Sequence, residues 1–300
     1  MNQFTLFLQQ AINGIALGSL YGIFAMGFGL MFATLNVLNL AHGTVATWGS
    51  LIVLGVLSWL HLPFAIAVVL ALAGTAALGA LMDILGFEPV RKRGGDGFFG
   101  LLISAIGFWI ILENLALIAT QGQYLSFPAT SYPNRFLHVG GLVIATTQIA
   151  IVGIAAILVI VLHYLLHRTR TGAAIRAVGW SARSAELAGI DARRIILLAS
   201  AISAAVVGLS GVLQSMSADS VTFTIGDGLL LKGFAAAVIG GLGYMQGALL
   251  GGIILGLSEV LGAQYVSTGF GDVVSYALLI VFLLIRPLGI LGSTEFELRG

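Results

Sequence analysis

The chain has 300 residues, of which 59% are hydrophobic and 8% charged, with a formal net charge of +1 and no cysteine. A soluble domain carries about 25% charged residues, so most of this surface must face lipid. A water-soluble enzyme, a nucleic-acid-binding protein and a disulfide or thiolate-metal scaffold are thereby excluded.

Inside a bilayer every backbone N–H and C=O must be paired within the protein, which leaves helices or closed barrels. Barrel strands alternate apolar and polar residues over about ten positions. Here the apolar runs are continuous over about twenty residues, the length that crosses a bilayer as a helix. The expected fold is all-α: a polytopic membrane protein of eight or nine transmembrane helices, forming one membrane domain over residues 1–300.

In chain order, the first apolar run covers 10–33, and no Lys or Arg precedes Arg91. A cleavable signal peptide begins with a basic region, so this run is read as a retained helix. The further spans are 43–60, 63–86, 98–120, 145–167, 194–217, 228–243, 246–266 and 272–291. The segment 228–243 is short enough to be a half-helix that turns back. Between 121 and 144, Pro128, Pro133, Gly140 and Gly141 rule out a continuous helix, and this stretch is expected to fold over the outer face. Eleven of the thirteen basic residues fall in 87–97, 168–194 and the tail. The positive-inside rule makes that side cytoplasmic, with the C-terminus inside.

Ionisable residues within spans are costly and point to function. Glu113, with Asn114 beside it, lies late in the fourth span; Glu259 lies deep in the eighth, where an ion pair with Lys232 is the structural reading and a polar point in a permeation path the functional one. Asp83 is near a cytoplasmic end and is expected to be solvated or paired with Arg91 or Arg93. Asn36, Asn39 and His42 crowd into seven residues between apolar runs. Asn disfavours helix interiors because it bonds its own backbone, so a local helix break is expected there, with these side chains satisfying the freed groups. The five histidines show no metal-ligand spacing beyond His163 and His167, which end a helix next to Arg168. No metal site is expected.

Glycine accounts for 41 residues, about twice its usual share. Pairs four apart, among them Gly14 and Gly18, Gly18 and Gly22, and Gly247 and Gly251, fit the small-xxx-small pattern that lets helix backbones approach closely. Gly240 and Gly241 belong to the same cluster.

The stretch from Arg168 to Arg194 carries its own punctuation. A short helix follows Gly172 through Ala173–Val178; Ser181 N-caps a second through Leu187; Gly189 sits at a C′ position; Asp191 caps the next span. Two short helices on the cytoplasmic face form a knob suited to docking a partner.

Several blocks, in order along nearly the whole chain, carry a family likeness. They are Gly14-Ile-Ala-Leu-Gly-Ser-Leu-Tyr21, Asn39-Leu-Ala-His-Gly43, Glu88-Pro-Val-Arg91, Thr171-Gly172 with Ile175-Arg-Ala-Val178, and Ala188-Gly-Ile-Asp191. Lys232 to Gly243, Gly247 to Gly252 and Leu284-Ile-Arg-Pro-Leu-Gly289 complete the set. Together they resemble the H-type permease subunit of the branched-chain amino-acid importers of the ATP-binding cassette class. The resemblance implies a bacterial inner-membrane permease with four kinds of neighbour. These are a second, related permease subunit, two cytoplasmic ATPases that hold ATP and Mg²⁺, a periplasmic solute-binding protein and the lipid bilayer.

It implies no cofactor in this chain and no catalytic residue. It also implies that the Arg168–Arg194 loop docks in the ATPase, with Arg176, Ala177, Glu186, Gly189, Ile190 and Asp191 as its coupling residues. Ala185-Glu186-Leu187-Ala188 matches the Glu-Ala-Ala loop of other importers only in part. Ser19 and Tyr21, within the first block, join Asn36, Asn39, His42, Glu113, Asn114 and Glu259 as candidate path residues. Similar permeases carry urea and short amides.

No Gly-x-x-x-x-Gly-Lys-Ser/Thr loop occurs, as expected if the ATPase is a separate chain. Two rivals remain. Gly208-Leu-Ser-Gly211 is similar to an intramembrane serine-protease motif, but such a serine needs a base within about 3 Å and no histidine follows His167. An ion-coupled secondary transporter would have to use Glu113 and Glu259.

Overall fold

A computed structural model describes residues 3–35, 37–93, 97–128, 131–132, 134–286 and 288–292. The chain divides into two compact units: one takes residues 1–26, 132–160 and 231–300, the other 27–131 and 161–230.

Helix α1 spans Gln3–Leu35 and supplies both units. In the first unit, β1 (Phe136–Val139) and β2 (Leu142–Ala145) form an antiparallel hairpin ahead of α6 (Thr146–Arg168). The unit closes with α10 (Ile225–Gly240), α11 (Met245–Tyr265) and α12 (Gly271–Ile285). In the second unit, α2 (His42–Gly55), α3 (Phe64–Met82), α4 (Glu88–Arg93) and α5 (Gly97–Thr120) precede the end of α6. Then come α7 (Arg170–Trp180), α8 (Ala182–Leu187), α9 (Ala192–Ala218) and the first turns of α10. There α9 packs against α2 and α3.

Among the described residues seven helical stretches are long and apolar enough to cross a membrane, and Gly271–Ile285 is a shorter apolar helix. With α10 added, each of the nine sequence segments contains a helix, and the fold is a polytopic helical membrane protein. The expected half-helix is α10: its 16 residues reach about 24 Å at 1.5 Å per residue. Gly241 and Gly243, both at positive φ, turn the chain straight after it.

The structure corrects several boundaries. The first helix begins at Gln3, well before residue 10. The last span stops at Ile285 rather than 291, because Arg286 precedes a proline and is pushed out of the helical region. The chain then returns, with Ile290 N–H donating to Ile239 O at 2.8 Å. The first helix of the 168–194 loop starts at Arg170, capped by Thr169, so Gly172 lies inside it. The loop 121–144 is non-helical where described, as expected. Its hairpin was not expected, although Gly140-Gly141, both at positive φ, is a favoured two-residue turn. Two single π-type turns, Val56–Leu60 and Asp83–Phe87, were also unforeseen.

Candidate translocation and coupling sites

In the first unit the glycines of α1 meet α11 backbone to backbone. A β-carbon at Gly14 would lie 2.9 Å from Leu257 Cα, and one at Gly18 would lie 2.5 Å from Gly252 O. Gly240 and Gly247 abut each other's backbone, and Gly251 abuts Ala236 and Gly240, joining α10 to α11 in the same way. Gly241 packs on Gly292 and Gly289.

Between these helices lies an ionic cluster. Lys232 Nζ donates to Glu259 Oε1 at 2.6 Å and to Asp272 Oδ1 at 2.7 Å. Tyr21 OH donates to Glu259 Oε2 at 3.0 Å, and the ammonium lies 5.5 Å from the Tyr21 ring centroid. Ser275 Oγ adds a longer bond to Glu259 Oε2 at 3.4 Å. Lys232 and Glu259 are 15% and 14% exposed, Asp272 66%. The expected Lys232–Glu259 pair is therefore present, and four helices contribute to it. Asp272 and Ser275 were missed; an acidic residue in the first turn of an apolar helix was the signal available for Asp272. Ser19 is a satisfied packing residue, its hydroxyl donating to Ile15 O within α1.

In the second unit the helix break falls where the asparagines placed it. Asn36 itself lies outside the described residues. Asn39 is buried; its Oδ1 accepts from Ala41 N–H at 3.1 Å, and its carbonyl accepts from His42 N–H at 3.2 Å. His42 opens α2, with Nδ1 3.1 Å from Asn39 O and Nε2 2.8 Å from Ser203 Oγ on α9. Ser203 Oγ is also 2.7 Å from Gly27 O. A carbonyl only accepts, so Nδ1 carries a proton and the single Ser203 hydroxyl proton is given to the Gly27 carbonyl, with His42 Nε2 against the same hydroxyl oxygen. Removing the ring takes one hydrogen bond from Ser203 Oγ and one from the Asn39 carbonyl, which keep Gly27 O and the His42 backbone N–H as partners, at about 0.5–1.5 kcal/mol each, and it empties a buried site. His42→Ala is therefore expected to lower the thermal unfolding temperature in detergent clearly, and Ser203→Ala less so. Unchanged midpoints for both would show that the break is held by other contacts.

Glu113, on α5, lies close enough to Asp227 at the start of α10 for their charges to repel. Asn114 is exposed, and its amide donates to Ile110 O at 2.8 Å. A cavity of about 810 Å³ in this unit is walled by Trp48, Leu51, Trp59, Leu60, Tyr124 and Leu125. Among the described residues none of the path residues chosen from sequence lines it. Ser210 Oγ donates to Val207 O within its own helix, as a packing residue does. Asp83 is buried and paired with Arg91 at 2.8 Å.

The loop α7–α8 is a knob with a small core of its own: Val178, Ala185, Ala192 and Ile196 cluster, with Ala177 and Ile190 packed against them. Gly172 seats α7 on Leu165 and Leu166, and Gly179 lies against Ala33 O. The sequence-derived caps are in place: Ser181 Oγ accepts from Ser184 N–H, and Asp191 Oδ1 accepts from Arg194 N–H at 3.1 Å. Gly189 has φ +83, where a side chain is strained. Arg193 reaches back to Glu88 at 2.9 Å, and Lys92 holds the same carboxylate at 2.6 Å. The Arg193 pair ties the base of the knob to α4, within which Lys92 and Glu88 lie. Arg176, Glu186 and Asp191 are exposed, whereas Ala177 and Ile190 are half-buried.

A family model described as branched-chain amino acid transport system, permease component, matches residues 10–283. The chain belongs to this family. This permease is 34% identical over 303 residues to the high-affinity branched-chain amino acid transport system permease protein BraD of Pseudomonas aeruginosa, covering 97% of each chain. It is 36% identical over 314 residues to LivH of Escherichia coli, described in the same terms, covering 98% of each. It is 26% identical over 294 residues to the ribose import permease protein RbsC of Escherichia coli, covering 95% of this permease and 85% of that protein. The permease is thus a multi-pass membrane component of a transport system, a conduit rather than an enzyme.

Proposed function

We propose that this permease is a membrane subunit of an ATP-driven importer carrying branched-chain amino acids across the bacterial inner membrane, with its C-terminus in the cytoplasm. The observation that carries this reading is the likeness, over essentially full length, to BraD and LivH. The working complex pairs this chain with a second, related permease, two cytoplasmic ATPases that bind ATP and Mg²⁺, and a periplasmic solute-binding protein.

The knob of α7 and α8 docks in the ATPase through the faces bearing Arg176, Glu186 and Gly189. ATP binding closes the ATPase pair, moves the knob and shifts the helices mounted on it. Substrate affinity must differ between the two resulting states, because a ligand that binds both equally drives no net transport. Tyr21, Glu259 and the Asn39–His42 break are the polar points of the proposed path, together with Glu113.

Uptake of labelled leucine and labelled urea by whole cells, with and without this chain, tests the reading at submicromolar substrate. Loss of leucine uptake alone is expected. Loss of urea uptake alone would move the substrate to amides and leave the architecture standing; loss of neither would overturn the substrate reading.

A further inference from the structure

We propose that the ATPase receives the knob in an acid-lined groove with one apolar notch, the acid side facing Arg170 and Arg176 of α7 and the notch taking Leu187 of α8. This rests on the docking reading above and specifies the partner's chemistry.

The charge on the knob is lopsided and uncommitted. Arg193 and Arg194 are held by Glu88 and Asp191. Among the described residues no carboxylate lies within ion-pair distance of Arg168, Arg170, Arg176 or Arg183, all of which are exposed. Glu186 is the one exposed anion on α8. A surface with four unsatisfied cations and one anion meets a complementary surface that supplies carboxylates.

The cations are also aligned. Arg170, Ala173 and Arg176 recur at helical spacing along the outward side of α7, whereas Gly172, Ile175 and Val178 are buried. Beyond them Leu187 stands 86% exposed at the tip of the loop and Trp180 60% exposed at the end of α7, whereas Ala177, Val178, Ala185 and Ile190 are turned into the loop's core. A large apolar side chain as exposed as Leu187, set among charged residues, is the anchor-in-pocket pattern of a docking interface.

An anionic lipid surface would also attract the arginines. A helix that lies on a membrane, however, inserts its apolar face, and the apolar face of α7 is already occupied by this protein: Gly172 on α6 and Gly179 on the end of α1.

The test uses the full complex, with the cognate ATPases co-expressed and captured through a tag on this permease. Retained ATPase is read at about 50 mM and about 500 mM salt, because exposed charge pairs are screened as the Debye length shrinks. The variants are R170E/R176E, R170K/R176K and L187A, with co-purifying anionic phospholipid measured in each. Expected is a loss of at least about tenfold in retained ATPase for the Glu pair and for wild type at high salt, near-normal retention for the Lys pair, and loss for L187A at both salts.

Equal retention of ATPase by the Glu pair and wild type at both salts would overturn the acid groove while leaving docking intact. Undiminished ATPase with loss of anionic phospholipid from the Glu pair would assign the arginines to lipid instead. A wild-type permease that captures no ATPase at either salt would overturn the docking reading itself.

Discussion

Gly18→Leu is expected to remove the folded permease from the membrane. A β-carbon there would already sit 2.5 Å from Gly252 O and 2.6 Å from Ile253 Cα, so the obstruction is backbone, which cannot rotate away. Overpacking of a yielding core costs about 1–3 kcal/mol; here two helices must separate along their seam, and the loss is expected to exceed about 3 kcal/mol. Gly153→Leu is the matched control. It also places a leucine on an apolar helix of the same unit, but nothing lies within 4 Å of its β-carbon, and it should accumulate normally. Membrane yield and thermal midpoint in detergent report both. A Gly18→Leu protein as abundant and stable as the Gly153→Leu protein would show that the seam is not close-packed.

The second large effect is expected at Lys232. Lys232→Met leaves Glu259, 14% exposed, with only the Tyr21 and Ser275 hydroxyls to balance its charge. Removing one partner of a buried ion pair costs about 3–5 kcal/mol, whereas replacing both with apolar groups of similar volume is often neutral. Lys232→Met should unfold at clearly lower temperature, Glu259→Leu less so because Lys232 keeps Asp272 at 2.7 Å, and the double variant should recover most of the Lys232→Met loss. Wild-type stability in either single variant would refute the pairing energy. Leucine uptake by the double variant then separates two roles. Recovery of stability and uptake together marks a structural pair, while stability without uptake places the cluster on the permeation path.

Much of this was legible in the sequence because it is written locally. Apolar runs give the spans, and arginine clusters mark the loop. Ser181, Gly189 and Asp191 each act within three residues of themselves, so their capping roles could be read without knowing the fold. The Asn39–His42 break was legible for the same reason. Lys232 with Glu259 could be paired because few charges were available inside spans.

What was missed depends on distance or on geometry that no residue type announces. The partner of His42 is Ser203, 161 positions away, and serine among many small residues on α9 gives no sign of its neighbour. The π-type turns each insert one residue, and Gly86 and Gly55, inside one and just before the other, do not distinguish such a turn from ordinary helix packing. The start of α7 was misplaced because Gly172 was taken as a boundary, when tertiary packing on Leu166 makes glycine useful inside the helix. The hairpin escaped because its two four-residue strands lie in a loop that was read only for helix breakers.

The bare-backbone seam between α1 and α11 carries a consequence for handling the protein. Lipid tails are as apolar as leucine, so no hydrophobic transfer drives helices together in a bilayer. A glycine contact also freezes no side-chain rotamers. The cohesion of the seam therefore comes from contact distance and weak Cα–H···O bonds, and these do not change when tails are replaced by micelle chains. The first unit should keep its packing through solubilisation, with surfactant chemistry felt at its lipid-facing rim rather than along the seam.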